Sequence, residues 1–193
     1  YQGQEISLES PWRRVELRQG LIETSGIDID LYPEADKLAA AMRAKGIVFD
    51  PKATRGKLIE KLMTETLEPA CIQPTIIYNY PRDISPLAKS LPDNPKIVER
   101  FEAFVAGFEL CNAFTELNDP LDQEARFLEM GRDYAEDAED RHPMDDDYLR
   151  AMRYGMPPMG GFGMGVDRLV MLITDNANIR EVLLFPHRRK AEE

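Results

Sequence analysis

The apolar and polar positions change their spacing near residue 72. Before that point the apolar residues recur at helical intervals. Ser10-Pro11 reads as a cap with a first-turn proline, and Val15, Leu17, Leu21 and Ile22 form an imperfect stripe ending near Gly26. After Pro33, Leu38, Ala39 and Met42 predict a second helix closed at Gly46; Leu58, Ile59, Leu62 and Leu67 predict a third from Gly56. Residues 1–72 are expected to form a small helical region, with 73–193 as a second unit built around strands.

From Thr75 the β-branched and aromatic run Thr75-Ile76-Ile77-Tyr78-Asn79-Tyr80, bounded by Pro81, predicts a buried strand. Glu99 to Leu117 reads as two strands meeting near Ala106-Gly107. Asp119-Pro120 opens a helix to about Arg132, and an acidic run from Glu136 to Asp147, broken by Pro143, reads as a solvated loop and helix start. The end combines a short helix at 148–154, a glycine-alternating strand, a helix from about Asp167 to Thr174 and a basic tail. The expected fold class is α+β, an antiparallel sheet flanked by helices.

Composition narrows the classes. With 193 residues, 43% hydrophobic and 31% charged, the chain is long and apolar enough to fold around a core. No apolar run reaches the length of a membrane span and the N-terminus has no export pattern, so a cytoplasmic setting is expected. Cys71 and Cys111 stand singly and read as buried reduced thiols. A net charge of -11 argues against independent nucleic-acid binding, which needs clustered Lys and Arg.

Three constellations can carry chemistry. Gly161, Gly163 and Gly165 recur every second residue, so on one strand they would leave a face bare. Such a face admits a flat ligand, and Arg168 just beyond can lie over a base or reach phosphate oxygens; close helix–strand packing beside a surface arginine is the other reading. The spacing fits neither a dinucleotide fingerprint nor a phosphate-binding loop. Second, a hairpin turning at Val105-Ala106 would set Glu102 opposite Glu109. Paired carboxylates repel unless protonated or bridged by a cation, for which Mg2+ is suited; strand glutamates facing water are the alternative.

Third, Asn112, Phe114 and Glu116 alternate and would share a strand face. An anion for an ammonium, a ring for a methylene stem and an amide for a carboxylate together suit a cationic amino acid. Glu109 has the opposite parity, so one pocket holding all of them requires a bulge or a difference in depth near Cys111. The loop Pro81 to Lys89 is read as mostly structural, and His142 and His187 lack partners at ligand spacing.

Gln73-Pro74-Thr75, Tyr80-Pro81, Ser85-Pro86-Leu87-Ala88-Lys89 and the run Phe108 to Asp119 resemble bacterial-type class II lysyl-tRNA synthetases, and Gly161 to Arg168 with its continuation to Pro186 resembles their motif 3. The resemblance implies a ligase that activates L-lysine with ATP to lysyl-adenylate and transfers it to tRNA(Lys), as a homodimer. It implies Mg2+ ligands at Glu102 and Glu109, lysine contacts from Asn112, Phe114 and Glu116, and ATP contacts from Glu102, Glu109, Gly161, Gly163, Gly165 and the catalytic Arg168. It further implies that residues 1–72 are the helical insertion following motif 2. Motifs 1 and 2 and the anticodon barrel are not found in this sequence, so a piece of a longer enzyme, inactive in isolation, is expected. Two alternatives stand beside it: the paralogue that lysylates elongation factor P, and a non-catalytic synthetase-like binding module.

Overall fold

The computed structural model describes residues 1–133 and 145–186. The strands are β1 (Arg13–Glu16), β2 (Thr75–Pro81), β3 (Ser90–Leu91), β4 (Asn94–Val105), β5 (Phe108–Thr115) and β6 (Gly160–Met164). The helices are α1 (Leu17–Ser25), α2 (Ala35–Ala44), α3 (Arg55–Leu62), α4 (Pro120–Asp133), α5 (Asp146–Gly155) and α6 (Val166–Thr174). The sheet runs β1-β2-β4-β5-β6, with β3 beside β4.

The fold class is α+β as expected, with one addition. Residues 10–16 do not begin a helix: Arg13–Glu16 form a strand parallel to β2, making the sheet mixed. Val15 and Leu17, both buried, stand two apart, a strand interval that the helical stripe concealed. The remaining helices and the β4–β5 hairpin fall where the sequence puts them. Part of the acidic run, the basic tail and both histidines lie outside the described residues.

Each sheet face has its own apolar layer. On one, Ile77, Tyr80, Val98 and Phe104 pack with Leu17 and Leu21 of α1, Leu38 and Met42 of α2, and Leu58, Ile59 and Leu62 of α3. The helical region and the sheet therefore share a core. On the other face, Val105 and Leu110 pack with Leu172 of α6, flanked by Tyr1 and Trp12. Neither Cys71 nor Cys111 forms a disulfide, and Cys71 is buried. No described helix is long and apolar enough to cross a membrane.

The loop after β2 is held from beneath. The buried Arg126 of α4 donates to the carbonyl of Ala88 at 2.7 Å and to Ser90 Oγ at 3.1 Å, and pairs with Asp122. Gln123 Nε2 donates to the carbonyl of Pro86 at 3.2 Å. A buried guanidinium spending its N–H groups on loop carbonyls gives that loop one shape.

Candidate functional site

The hairpin turns at Ala106-Gly107, with φ of 55° and 81°, the left-handed pair a tight two-residue turn requires. The expected turn at Val105-Ala106 and the Glu102–Glu109 pairing it implied are both replaced. Val105 pairs with Phe108 and Phe104 with Glu109, but Ala103 then pairs with Cys111 and Glu102 with Asn112. Leu110 is the extra residue of a β-bulge. It packs into the α6-side core, while Glu109 shifts onto the face of Phe104, Glu102 and Asn112. This bulge resolves the parity conflict between Glu109 and Asn112.

Glu102 and Glu109 consequently line one cavity of about 310 Å³, with Glu68, Tyr80, Arg100 and Phe104. Glu102 is buried, and each of its carboxylate oxygens accepts one hydrogen bond. Tyr80 Oη donates to its Oε2 at 2.7 Å, and Arg100 Nη2 donates to its Oε1. Glu109 instead meets Arg168, whose Nη1 lies 2.7 Å from the Glu109 carbonyl and 3.3 Å from its Oε2. Burial, with Glu102 a smaller contributor, pushes the Tyr80 hydroxyl well above its ordinary range, so it remains a donor. Burial also raises the Glu68 carboxyl, with the charges of Glu102 and Glu109 acting in the same direction.

Asn112 and Phe114 line a second cavity of about 170 Å³ with Arg100 and Ser85 to Ala88. The loop that reads as structural in the sequence is thus also a wall. Glu116 follows at the end of β5, bridged to Ala88. Its carboxylate has no ion pair among the described residues, and burial raises its pKa above the usual glutamate value.

The three glycines do not form one bare face. Gly161, opposite Phe114, is filled by Glu116: a Cβ there would lie 2.3 Å from Oε1. Gly163, opposite Asn112, is open, with only the Asn112 carbonyl at 3.9 Å from such a Cβ. Gly165 lies beyond the strand as the N-cap of α6, where the stem of Arg168 covers it. Its N–H donates to the carbonyl of Leu110 at 3.0 Å, so the bulge also anchors the helix that carries Arg168.

Sequence reasoning left out Tyr80, Arg100 and Glu68. Arg100 stands two residues before Glu102 on the same strand, a parity that marks it as a neighbour on that face. Tyr80 is aimed by an irregularity at Asn79, whose φ is 60°, and no residue spacing announces it. Of the four glutamates lining this cavity, Glu60, Glu68, Glu102 and Glu109, no three form a closed ligand set among the described residues, and the Glu102 and Glu109 pair suits a hard cation that keeps water and takes phosphate oxygens.

The family model for tRNA synthetases class II (D, K and N) matches residues 2–189. A lysine–tRNA ligase of Chloroflexus aurantiacus is 49% identical over 193 residues, 100% of this chain and 39% of that protein. One of Roseiflexus castenholzii is 51% identical over 192 residues, covering 100% and 39%. One of Staphylococcus aureus strain MW2 is 44% identical over 190 residues, covering 98% and 38%. The chain therefore spans about two-fifths of the length of these relatives. A family match over nearly every residue and relatives near 50% identity along the whole chain show that the chain belongs to the class II tRNA synthetases of the D, K and N group.

Proposed function

We propose that this chain is the part of a lysine–tRNA ligase that holds the amino acid and one side of the ATP, residues 1–72 being the helical insertion and 73–193 catalytic core. The observation that carries it is Glu116: a partly buried carboxylate without an ion pair among the described residues, beside Phe114 and Asn112 on β5. A desolvated anion lacking a cation favours a ligand that brings one. The ammonium of lysine fits that demand, its methylene stem the ring of Phe114, and its α-carboxylate the amide of Asn112.

In the whole protein the substrates are L-lysine, ATP and tRNA(Lys), and the working state is a homodimer, the latter resting on the family resemblance alone. A lysine carboxylate oxygen attacks the α-phosphorus as the bond to the β-phosphate breaks, and pyrophosphate leaves. No proton need be removed from the attacking carboxylate. The residues therefore contribute orientation and charge. Arg168, 46% exposed in its side chain and hydrogen-bonded among the described residues to Glu109 alone, can exchange that partner for phosphate oxygens. Glu102 and Glu109 would hold Mg2+, which neutralises triphosphate charge when bound. The names of the relatives favour the tRNA ligase over the elongation-factor paralogue and over a non-catalytic module.

Calorimetric titration of the chain with L-lysine tests the reading. Saturable 1:1 binding that is lost in Glu116→Gln is expected. Absence of binding by the unsubstituted chain, or equal binding by Glu116→Gln, would overturn the assignment of this strand.

A further inference from the structure

We infer that Arg100 is the positioning residue of the amino-acid pocket, fixing the Asn112 amide so that its Nδ2 group faces the ligand. Building on the lysine-site reading above, the inference concerns how the ligand's carboxylate is recognised. Arg100 lines both cavities, the carboxylate-rich one and the smaller one bounded by Asn112 and Phe114. Its guanidinium makes four side-chain hydrogen bonds. Nε donates to Asn112 Oδ1 at 3.2 Å, Nη1 to the Ile84 carbonyl at 2.7 Å and Ser85 Oγ at 2.9 Å, and Nη2 to Glu102 Oε1. The guanidinium also stacks 4.6 Å from the centre of the Tyr80 ring.

Guanidinium N–H groups only donate, so the Asn112 atom facing Nε must be the oxygen. The amide nitrogen is thereby turned away from Arg100, and Nδ2 has no hydrogen-bond partner among the described residues. An oriented donor pair without an acceptor among the described residues, beside a cavity and two residues from Phe114 on the same strand face, is placed to donate to a carboxylate. Arg100 itself has nearly exhausted its five N–H groups on protein atoms, which makes it a group that sets the site rather than one that touches the ligand. The same fork holds Glu102, so the orientation of the amide and that of the buried carboxylate are set by one side chain. Lysine at this position keeps the charge but offers a single head, which cannot reach Asn112, Ser85, Ile84 and Glu102 together.

Two measurements on the chain test this. In 15N-labelled protein, the side-chain amide of Asn112 should be ordered in the parent and should acquire the mobility and shift of a free asparagine amide in Arg100→Met and in Arg100→Lys. The lysine variant keeps the charge beside Glu102 and so guards against a simple failure to fold. An unchanged Asn112 amide in a folded variant overturns the inference. The second measurement compares L-lysine with L-lysinamide, which lacks the carboxylate. The parent should prefer L-lysine by at least about tenfold, the worth of one charge-assisted hydrogen bond, and Arg100→Lys should abolish most of that preference. Equal weakening of both ligands, or of neither, overturns a carboxylate-directed role. If the parent binds neither ligand, it is the lysine-site reading that falls, and the amide signals still decide whether Arg100 orients Asn112.

Discussion

Gly161 lacks a side chain at the point where β6 passes the carboxylate of Glu116, and a Cβ there would stand 2.3 Å from Oε1. The atom in the way is the far end of a flexible side chain, so the sheet can accept an added methyl by swinging Glu116 aside. Gly161→Ala is therefore expected to change unfolding free energy by less than about 1 kcal/mol, since no core or backbone atom must move. Lysine affinity should nevertheless fall at least about tenfold, because the anion is displaced from its partner. Denaturant unfolding and calorimetry on the same variant separate the two effects.

Glu116 also makes binding depend on pH. Burial raises its pKa in the folded chain, so the protonated form is favoured there. Its contribution to stability is present below the unfolded glutamate pKa and lost as pH rises through the higher folded value. Binding of a cation runs the other way, because only the carboxylate form pairs with an ammonium. Lysine affinity should rise as pH passes upward through the folded pKa of Glu116 and then level off, with protons released on binding in the transition region. Calorimetry in buffers of differing ionisation enthalpy measures the proton count directly.

Much of this arrangement was legible in the residues. The alternation Asn112, Phe114, Glu116 gave the face of β5, and Thr75 to Pro81 gave β2, because a half-buried strand writes its period into the sequence. The opposite parity of Glu109 and Asn112 left a bulge near Cys111 as one of two readings, and a trace of it exists: between Glu109 and Asn112 stand two consecutive apolar residues, Leu110 and Cys111, where strict alternation would allow one. Strand β1 was hidden because four residues are too few to establish a period against a following helix. The Tyr80–Glu102 and Arg100–Asn112 contacts depend on the register between strands, which no single segment encodes.

Gly20 shows why α1 can lie so close to the sheet. An added Cβ would stand 2.8 Å from Leu67 Cδ1 and 2.9 Å from Val15 Cγ1, both inside the packed core. Neither neighbour has open space to retreat into, since Val15 and Leu67 are buried. Alanine is the better helix former, worth up to about 1 kcal/mol, but overpacking costs about 1–3 kcal/mol. Gly20→Ala should be net destabilising by roughly 1–2 kcal/mol, read as a lowered denaturant midpoint.

Arg126 tests whether the loop wall of the amino-acid pocket is held from beneath. Only 3% of its side chain is exposed, and it binds Asp122, the carbonyl of Ala88 and Ser90 Oγ. Arg126→Met keeps much of the apolar stem while leaving the Ala88 carbonyl and Ser90 hydroxyl without their donor, a loss expected to cost about 2–3 kcal/mol of stability. Because Ser85 to Ala88 line the cavity beside Asn112 and Phe114, hydrogen exchange at the amides of Ser85, Leu87 and Ala88 should accelerate in the variant while β2 stays protected. Unchanged exchange at Ser85, Leu87 and Ala88 together with unchanged stability would mean that α4 does not support this wall.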